Sequence, residues 1–536
     1  MAECCQPMSP GKWLPGLLAA LFSSGIALLA LASLLHSASA RDWLSGLQDP
    51  YLHHVIAFSF EQALLSTLLS VGLAVPVARA LYRRRFPGRQ ALLRLCAMTL
   101  VMPVLVAVFG LLSVYGHQGW LEKMFALAGW HYHFPVYGLA GILLAHLFFN
   151  LPLAARLLLQ AFEQIPAEQR QLAAQLNMQG WYLFRWLEWP WLKRQLLPVA
   201  ALIFMLCFAS FAIILTLGGG PKATTLELAI YQALSYDFDP AKAAMLALLQ
   251  LGVCLSLMAV SLRLNTVLSG SASLQTPWQA QDRRWLPGLA DSLWILLTLL
   301  LLLPPLLAVI INGLQGGLLT ALQQPALWQA VLTSVTIALR AGLLAIVLTL
   351  MLLWTTREWR VRERPLPAQL LESSGMLILA MPGIVLASGW FLLFNNTVGL
   401  PDSPAFIVVI TNALMAIPYA MKILDMPMRD LARHYDRLCL SLDVRGWRRL
   451  RLIEYPALKK PLFQALAFAC VLSLGDLGVI SLFGSEDFRT LPFYLYQQIG
   501  AYRQQQGAVT ALLLLLVCFI LFTLIEKMAG KDANAE

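Results

Sequence analysis

Charged residues are scarce in this sequence, and their scarcity excludes a soluble protein. Asp, Glu, Lys and Arg make up 12% of the 536 residues, whereas 59% are hydrophobic. Soluble domains carry about 25% charged residues, which they need to cover their surface. The apolar residues also form long runs, and about 20 apolar residues of helix cross the roughly 30 Å hydrocarbon core of a bilayer. The sequence therefore predicts an all-α integral membrane protein whose partner is the lipid bilayer.

Sequence patterns of catalytic and metal sites are missing as well. The eight cysteines show no metal-ligand spacing, and the polar residues within the apolar runs are too isolated for a membrane enzyme. No Gly-x-x-x-x-Gly-Lys-Ser/Thr motif occurs, so no ATP binding through a P-loop is expected. The net charge of +10 comes from basic residues in short loops. We therefore expect no catalytic residue, no metal, no cofactor bound by this chain and no nucleic-acid partner.

About twelve apolar segments are candidates for transmembrane helices. The first resembles a signal peptide, since Ala38-Ser39-Ala40 follows it, but its length of about twenty residues favours a retained helix. The segments lie near 14–35, 55–81, 91–115, 136–158, 195–217, 243–262, 290–311, 328–354, 373–395, 404–424, 461–484 and 507–526.

Lys and Arg are concentrated in loops on one side of the predicted membrane. Arg83-Arg84-Arg85, the stretch from Arg357 to Arg364 and the stretch from Arg445 to Lys460 all lie on the side of the N-terminus. Loops rich in Lys and Arg stay in the cytoplasm. Both termini are therefore predicted to be cytoplasmic.

The two halves of the chain are internal repeats. Met102-Pro103 matches Met381-Pro382, and Pro152 matches Pro418. We predict a first transmembrane half at 1–263, a cytoplasmic linker at 264–288 and a second transmembrane half at 289–536. An even number of spans in each half makes the repeat parallel, with a pseudo-two-fold axis along the membrane normal. A substrate path would lie on that axis.

The loops after the fourth and tenth predicted spans share one pattern. Each is expected to form a short helix, a turn, a second short helix and a stop at proline. The turn position favours positive φ, which Asn and Asp tolerate best after Gly. The residues that carry the pattern are Gln171, Leu172, Ala173, Asn177, Leu187 and Pro190 in the first loop and, 266 residues later, Arg437, Leu438, Cys439, Asp443, Ile453 and Pro456 in the second.

This spacing resembles the EAA loop of ABC-importer permeases, in which Glu-Ala-Ala, three residues, Gly and nine residues precede Ile-x-Leu-Pro. Gln171 and Arg437 replace the family's glutamate, and Asn177 and Asp443 replace its glycine. The resemblance implies that both loops dock on an ATP-binding subunit and couple it to transport. Ordinary interfacial loops with aromatic anchors are the alternative interpretation.

The eleventh predicted span contains a second resemblance. The segment from Ser473 to Gly478 is similar to a Gly-Glu-Phe-Gly segment of the same permeases, with Asp476 in place of the glutamate and Ser210 at the matching position of the first half. An ionisable residue at membrane depth is expected to face the bundle interior or a water-filled cavity. We predict that Ser210 and Asp476 line the translocation path; helix packing is the alternative. Other polar residues of the spans are expected to join helices by hydrogen bonds: His146, Asn150 and Asn412.

Across essentially its whole length the chain resembles the fused, two-halved permeases of thiamine / thiamine pyrophosphate importers of Gram-negative bacteria. The strings that carry the resemblance are Tyr82 to Arg89, Leu202 to Pro221, Met376 to Leu386 and Phe488 to Gly500. The resemblance implies a type I ABC-importer-like fold in the bacterial inner membrane, a periplasmic thiamine-binding protein and two copies of an ABC ATPase subunit that holds ATP and Mg. A ferric-iron importer is the near alternative, and a major-facilitator-type secondary transporter is a further one.

Overall fold

The computed structural model describes residues 10–38, 48–99, 101–130, 133–264, 285–362, 364–378, 381–397, 404–442, 444 and 446–528. Within these residues all regular structure is helical, which confirms the predicted all-α class. The first half contains α1 (Pro10–Ser37), α2 (Pro50–Arg83), α3 (Arg89–Met98), α4 (Val104–Tyr115), α5 (Trp120–Leu127), α6 (Leu139–Glu163), α7 (Ala167–Gln175), α8 (Gly180–Leu183), α9 (Trp189–Phe208), α10 (Phe211–Leu217), α11 (Leu226–Ser235) and α12 (Pro240–Leu264). The second half contains α13 (Trp285–Gln315), α14 (Leu318–Leu322), α15 (Pro325–Val361), α16 (Pro365–Leu377), α17 (Gly383–Thr397), α18 (Ala405–Ser441), α19 (Gly446–Arg449), α20 (Tyr455–Leu474), α21 (Gly478–Phe483), α22 (Leu491–Gly500) and α23 (Gln504–Met528).

Eleven helical segments in the described part of the chain are long and apolar enough to span a membrane. They correspond to the predicted segments except the ninth, which is divided into α16 and α17 at Met381-Pro382. The third predicted segment is broken in the same way at Met102-Pro103, between α3 and α4. Proline has no amide hydrogen to continue the helix and disfavours helical geometry in the residue before it. The repeat therefore preserves a helix break as well as a sequence match.

The described residues divide into two compact units that differ from the predicted halves. One unit is drawn from Asp49–Leu228 and Gly252–Asn312, and the other from Met1–Gln48, Ala229–Leu251 and Gly313–Glu536. The first helix of each half thus belongs to the unit built mostly from the other half. The predicted linker at 264–288 lies largely outside the described residues, and its last residues already belong to α13.

The unit that contains most of the first half has α2, α6 and α9 at its centre, packed against one another. The first helix of the second half, α13, is held in this unit by an ion pair: Arg84 Nε donates to Asp291 Oδ2 at 2.9 Å. The amide of Leu226, the first residue of α11, donates to Ser59 Oγ of α2 at 3.0 Å, and this bond attaches α11 to α2.

The unit that contains most of the second half has the matching centre of α15, α18 and α20. Small side chains let these helices approach closely, because tight packing replaces the hydrophobic effect within a bilayer. The start of α22 is bonded in the same way as the start of α11, since the Leu491 amide donates to Ser334 Oγ of α15 at 2.7 Å. The helix α1 packs on α15, α16 and α17. The small residues of the core are Ala341, Ala345, Ala413, Ala416 and Ala469.

One glycine after each Met-Pro break lies against the main chain of the first helix of the other half. A Cβ on Gly110 of α4 would lie 2.5 Å from the carbonyl oxygen of Pro305 in α13. A Cβ on Gly389 of α17 would lie 2.6 Å from the carbonyl oxygen of Ala30 in α1. Both distances are far below van der Waals contact, so only glycine fits at these two crossings.

We expect Gly389→Ala to destabilise the protein by about 1–3 kcal/mol, because the added methyl group forces α1 away from α17. The measurement is the Tm of the purified protein in detergent. The control is Gly25→Ala in α1, where a Cβ would meet no atom within 4 Å. An equal Tm for Gly389→Ala and the parent protein would show that α1 moves aside without cost.

Candidate functional site

The first elbow, residues 167–190, consists of α7, a turn, α8 and a π-helical turn at Phe184–Glu188 that leads into α9. The turn is closed by two bonds, from the Asn177 amide to the Ala174 carbonyl at 3.0 Å and from the Met178 amide to the Ala173 carbonyl at 2.8 Å. This is the Schellman arrangement, which requires a left-handed residue after the helix. Asn177 has φ of 51°, which confirms the predicted turn conformation at this residue.

The second elbow, residues 433–456, repeats one bond of the first turn and differs in the helix that leads into it. The Val444 amide donates to the Cys439 carbonyl at 2.9 Å, the bond that matches the one from Met178. Asp443 itself lies outside the described residues. The separate short helix predicted here is wrong, because α18 continues without a break to Ser441. Pro166 separates α6 from α7 in the first half, and Ala432, which stands at its place in the second, lets the helix continue.

The prediction that proline stops the second helix of each elbow is also wrong. Pro190 and Pro456 lie in the first turn of α9 and α20. The preceding residues form π turns, Phe184–Glu188 and Leu450–Glu454, at the same spacing in both halves. A proline is tolerated in the first turn of a helix. The π turn, which holds one more residue than an α turn, leads directly into that first turn. Each elbow therefore runs continuously into a long helix.

The predicted elbow residues divide into a buried and an exposed set. Ala173 and Cys439 are buried, with 4% and 2% of their surface accessible. Gln171 is exposed, and Leu187 and Ile453 are partly buried; nothing is described of the Arg437 side chain. Both elbows expose matched apolar side chains, with exposed fractions between 49% and 67%: Leu172, Leu176 and Trp186 in the first, and Leu438, Leu442 and Leu452 in the second.

Each elbow also contains a buried acid that was not predicted from the sequence. Glu188 and Glu454 are 3% and 1% exposed and end the two π turns. Glu188 pairs with Arg79 of α2, and Glu454 pairs with Arg357 of α15. The signal was present in the sequence, because the same acid stands two residues before the elbow proline in both repeats.

A polar cluster surrounds the interruption between α9 and α10. His146 of α6 bonds through Nδ1 to Ser66 Oγ of α2 at 2.7 Å and through Nε2 to Ser210 Oγ at 2.8 Å. Asn150 Nδ2 donates to Cys207 Sγ at 3.1 Å. These bonds confirm that His146 and Asn150 join helices, and they place the predicted path residue Ser210 at a helix break.

The matching cluster of the second half surrounds the interruption between α20 and α21. Asn412 of α18, at the place of His146, donates from Nδ2 to Ser473 Oγ at 3.0 Å, which confirms its expected bond between helices. Asp476, at the place of Ser210, accepts at Oδ1 from the Gly478 amide at 3.1 Å. Its second oxygen, Oδ2, is buried and has no hydrogen-bond partner within the described residues. Both predicted path residues thus lie where a long helix is interrupted.

Glu227 of α11 is another buried acid, and it accepts a hydrogen bond from the Phe211 amide at the start of α10. Burial raises the pKa of this carboxyl from 4.5 to about 8. The folded protein therefore retains a proton that the unfolded chain loses as the pH rises above 4.5. Because the unfolded chain then binds fewer protons, stability falls as the pH rises from 4.5 to about 8 and becomes level above it.

We expect Glu227→Gln to remove this pH dependence and to raise stability near pH 8. The amide oxygen of glutamine still accepts from Phe211, so the contact itself is preserved. Thermal unfolding of both proteins between pH 5 and pH 9 measures the effect. A difference in Tm that stays constant across this range would show that Glu227 is ionised in the folded protein.

A family model matches residues 67–268 and 357–529 of the chain, one stretch in each half. Its description is "binding-protein-dependent transport system inner membrane component". Together the two stretches cover more than half of the sequence, and the chain belongs to this family. It is thus a membrane-spanning component of a transport system, with a repeated domain and no enzymatic role of its own.

Relatives with a stated substrate match the chain over its length. The thiamine transport system permease protein ThiP of Escherichia coli (strain K12) is 62% identical over 536 residues, which is 100% of both chains. The protein of the same description from Haemophilus influenzae is 44% identical over 94% of both chains. That from Brucella abortus (strain 2308) is 42% identical over 91% of this chain and 90% of its own.

Proposed function

We propose that this chain is the permease of an ATP-binding-cassette importer that moves thiamine or thiamine pyrophosphate across the bacterial inner membrane. Two copies of a separate ATPase subunit bind ATP and Mg and dock on the two elbows, and a periplasmic binding protein delivers the solute. Both termini lie in the cytoplasm in this arrangement, since the basic loops and both elbows are on that side.

The observation that carries the proposal is the pair of matched elbows. Each exposes three apolar side chains, and the three positions are equivalent in the two elbows. Elbows that met only water would have no reason to keep apolar side chains at the same exposed positions. Exposed apolar patches of this kind mark surfaces that bind another protein or a membrane. Two equivalent patches fit two copies of one partner. The substrate is inferred from the full-length relatives, which are thiamine transport permeases by description.

The proposed cycle starts from two docked ATPase subunits. Closure of the paired ATPase subunits on ATP brings the two elbows together. The continuous connection from each π turn into α9 or α20 carries that movement to the helix breaks at Ser210 and Asp476. The solute cavity then changes from inward-facing to outward-facing, as in other rigid-body switching transitions.

The test is uptake of labelled thiamine by proteoliposomes that contain the chain, the ATPase subunit and the binding protein. We expect uptake only with all three proteins and ATP. Uptake without the ATPase subunit that stops when the proton gradient is collapsed would identify a secondary transporter. Uptake of ferric iron in place of thiamine would identify the iron importer instead.

A further inference from the structure

Arg79 attaches the first elbow to α2 at three points. Its Nε donates to Glu188 Oε2 at 2.6 Å. Its Nη2 donates to the carbonyl oxygen of Gly180 at 3.4 Å. Its guanidinium carbon lies 4.9 Å from the ring centre of Phe184. One side chain of α2 therefore holds the start of α8, the start of the π turn and the end of that turn.

Arg357 makes the equivalent attachment in the second elbow. Its Nη2 donates to Glu454 Oε1 at 3.0 Å, and Arg449 Nε of α19 donates to the same oxygen at 2.9 Å. The side chains of Arg357 and Glu454 are only 3% and 1% exposed. The guanidinium lies over the Trp354 ring, 4.6 Å from its centre. Both halves thus combine a π turn, its terminal glutamate and an arginine on a long helix, although the two glutamates are 266 residues apart in the sequence and the two arginines 278.

The two attached helices lead from the elbow to the polar cluster. On α2, Ser66 lies 13 residues before Arg79, which is about 20 Å along a helix. On the other side, α9 begins directly after Glu188 and ends beside Cys207 and Ser210. Because His146 bonds to both Ser66 and Ser210, the frame formed by α2, the elbow and α9 is closed at both ends.

Stability alone does not explain a charged pair at these two places. Replacing a buried ion pair with well-packed apolar residues is often neutral or stabilising, since both ions lose their hydration on burial. What an ion pair adds is a fixed distance and direction between the two elements that it joins. That property matters where an external force acts on one of them.

We propose that Arg79–Glu188 and Arg357–Glu454 are positioning pairs that make each elbow move as one body with the two long helices leading to its polar cluster. The inference rests on the proposed function, because the moving force comes from the docked ATPase subunit. Without the pairs, the elbow still binds that subunit, but it swings on the π turn and its movement is not passed to the helix breaks.

The experiment compares the complete transport complex in proteoliposomes with wild-type chain, Arg79→Met/Glu188→Leu and Glu188→Gln. The apolar pair Arg79→Met/Glu188→Leu keeps the site packed and leaves no buried unpaired charge. Any loss of coupling in this variant is therefore not caused by misfolding. The measured quantities are the ATPase subunit that co-purifies, the rate of ATP hydrolysis and the number of thiamine molecules taken up for each ATP hydrolysed. The control is Glu163→Gln, which removes an exposed acid whose Oε1 lies 3.8 Å from Nη2 of the partly exposed Arg89.

We expect the apolar pair and Glu188→Gln to retain the ATPase subunit and to hydrolyse ATP, with uptake for each ATP reduced about tenfold. The Glu163→Gln complex is expected to match wild type. Wild-type uptake for each ATP in the Arg79→Met/Glu188→Leu complex overturns the inference. The inference is also overturned if the Arg79→Met/Glu188→Leu complex loses the ATPase subunit while the Glu188→Gln complex takes up as much thiamine for each ATP as wild type. Failure of the proposed function has a different signature, since wild-type chain would then retain no ATPase subunit.

Discussion

Leu176→Asp combined with Leu442→Asp is expected to release the ATPase subunit and abolish uptake. The two leucines occupy equivalent positions in the elbows, just before the left-handed turn in the first, and are 65% and 64% exposed. A substitution at such exposed positions costs little folding stability. In a docked complex the same aspartates would be buried against the partner without a counter-charge, which is strongly unfavourable.

The measurement is co-purification of the ATPase subunit with the detergent-solubilised chain, followed by uptake in proteoliposomes. We expect each single substitution to weaken retention by about tenfold or more, as at a contact that contributes strongly to binding, and the double substitution to remove it. The control is Tyr502→Asp, because Tyr502 is 86% exposed between α22 and α23, outside the elbows and outside the candidate spans. Full retention by the double variant would mean that the elbows are not the docking surface.

A break of the elbow helix gives an independent result. Leu172 lies inside α7, so Leu172→Pro removes a backbone hydrogen bond and costs about 3 kcal/mol in that helix. Uptake is expected to be lost while the chain stays in the membrane. Persistence of both ATPase binding and uptake after Leu172→Pro and Leu438→Pro together would contradict the docking assignment.

Asp476→Asn is expected to reduce thiamine uptake about tenfold, which corresponds to about 1.4 kcal/mol in the translocation barrier. Asparagine keeps an oxygen that accepts from the Gly478 amide, so the start of α21 is preserved and only the charge is lost. Asp476→Ala loses the bond as well and should cost about 1 kcal/mol of stability in addition. Comparison of these two variants separates a role in the path from a role in helix capping.

Uptake is measured at saturating ATP in complexes that retain the ATPase subunit, and the Tm of each variant is measured in parallel. Asp487→Asn, in an exposed loop, is the control for the change of charge. Normal uptake with Asp476→Asn would exclude the path role and leave Asp476 as a packing residue. In the first half, Ser210→Ala is expected to have a smaller effect, because Ser210 carries no charge.

Much of this protein could be derived from local sequence. The apolar runs determine the helical class and the positions of the spans, since only helix satisfies the backbone in lipid over such lengths. The breaks at Met102-Pro103 and Met381-Pro382 were not predicted, although the missing amide hydrogen of proline accounts for them in the structure. The left-handed turn at Asn177 follows from the few residue types that tolerate it. The expected stops at Pro190 and Pro456 were wrong because the π turns before them let the helices continue.

The remaining features depend on contacts between residues far apart in the chain, which periodicity and turn chemistry do not report. No local signal indicates that α1 belongs with α17 or α13 with α4, because a glycine that admits another helix looks like any other glycine of an apolar run. In the sequence, Glu188 and Glu454 resemble any acid of a polar loop, and only the structure shows that they pair with Arg79 and Arg357. Local sequence is thus sufficient to predict which segments are helical. Which buried polar groups meet follows from the packed structure alone, because a hydrogen bond or ion pair depends on positions that packing sets.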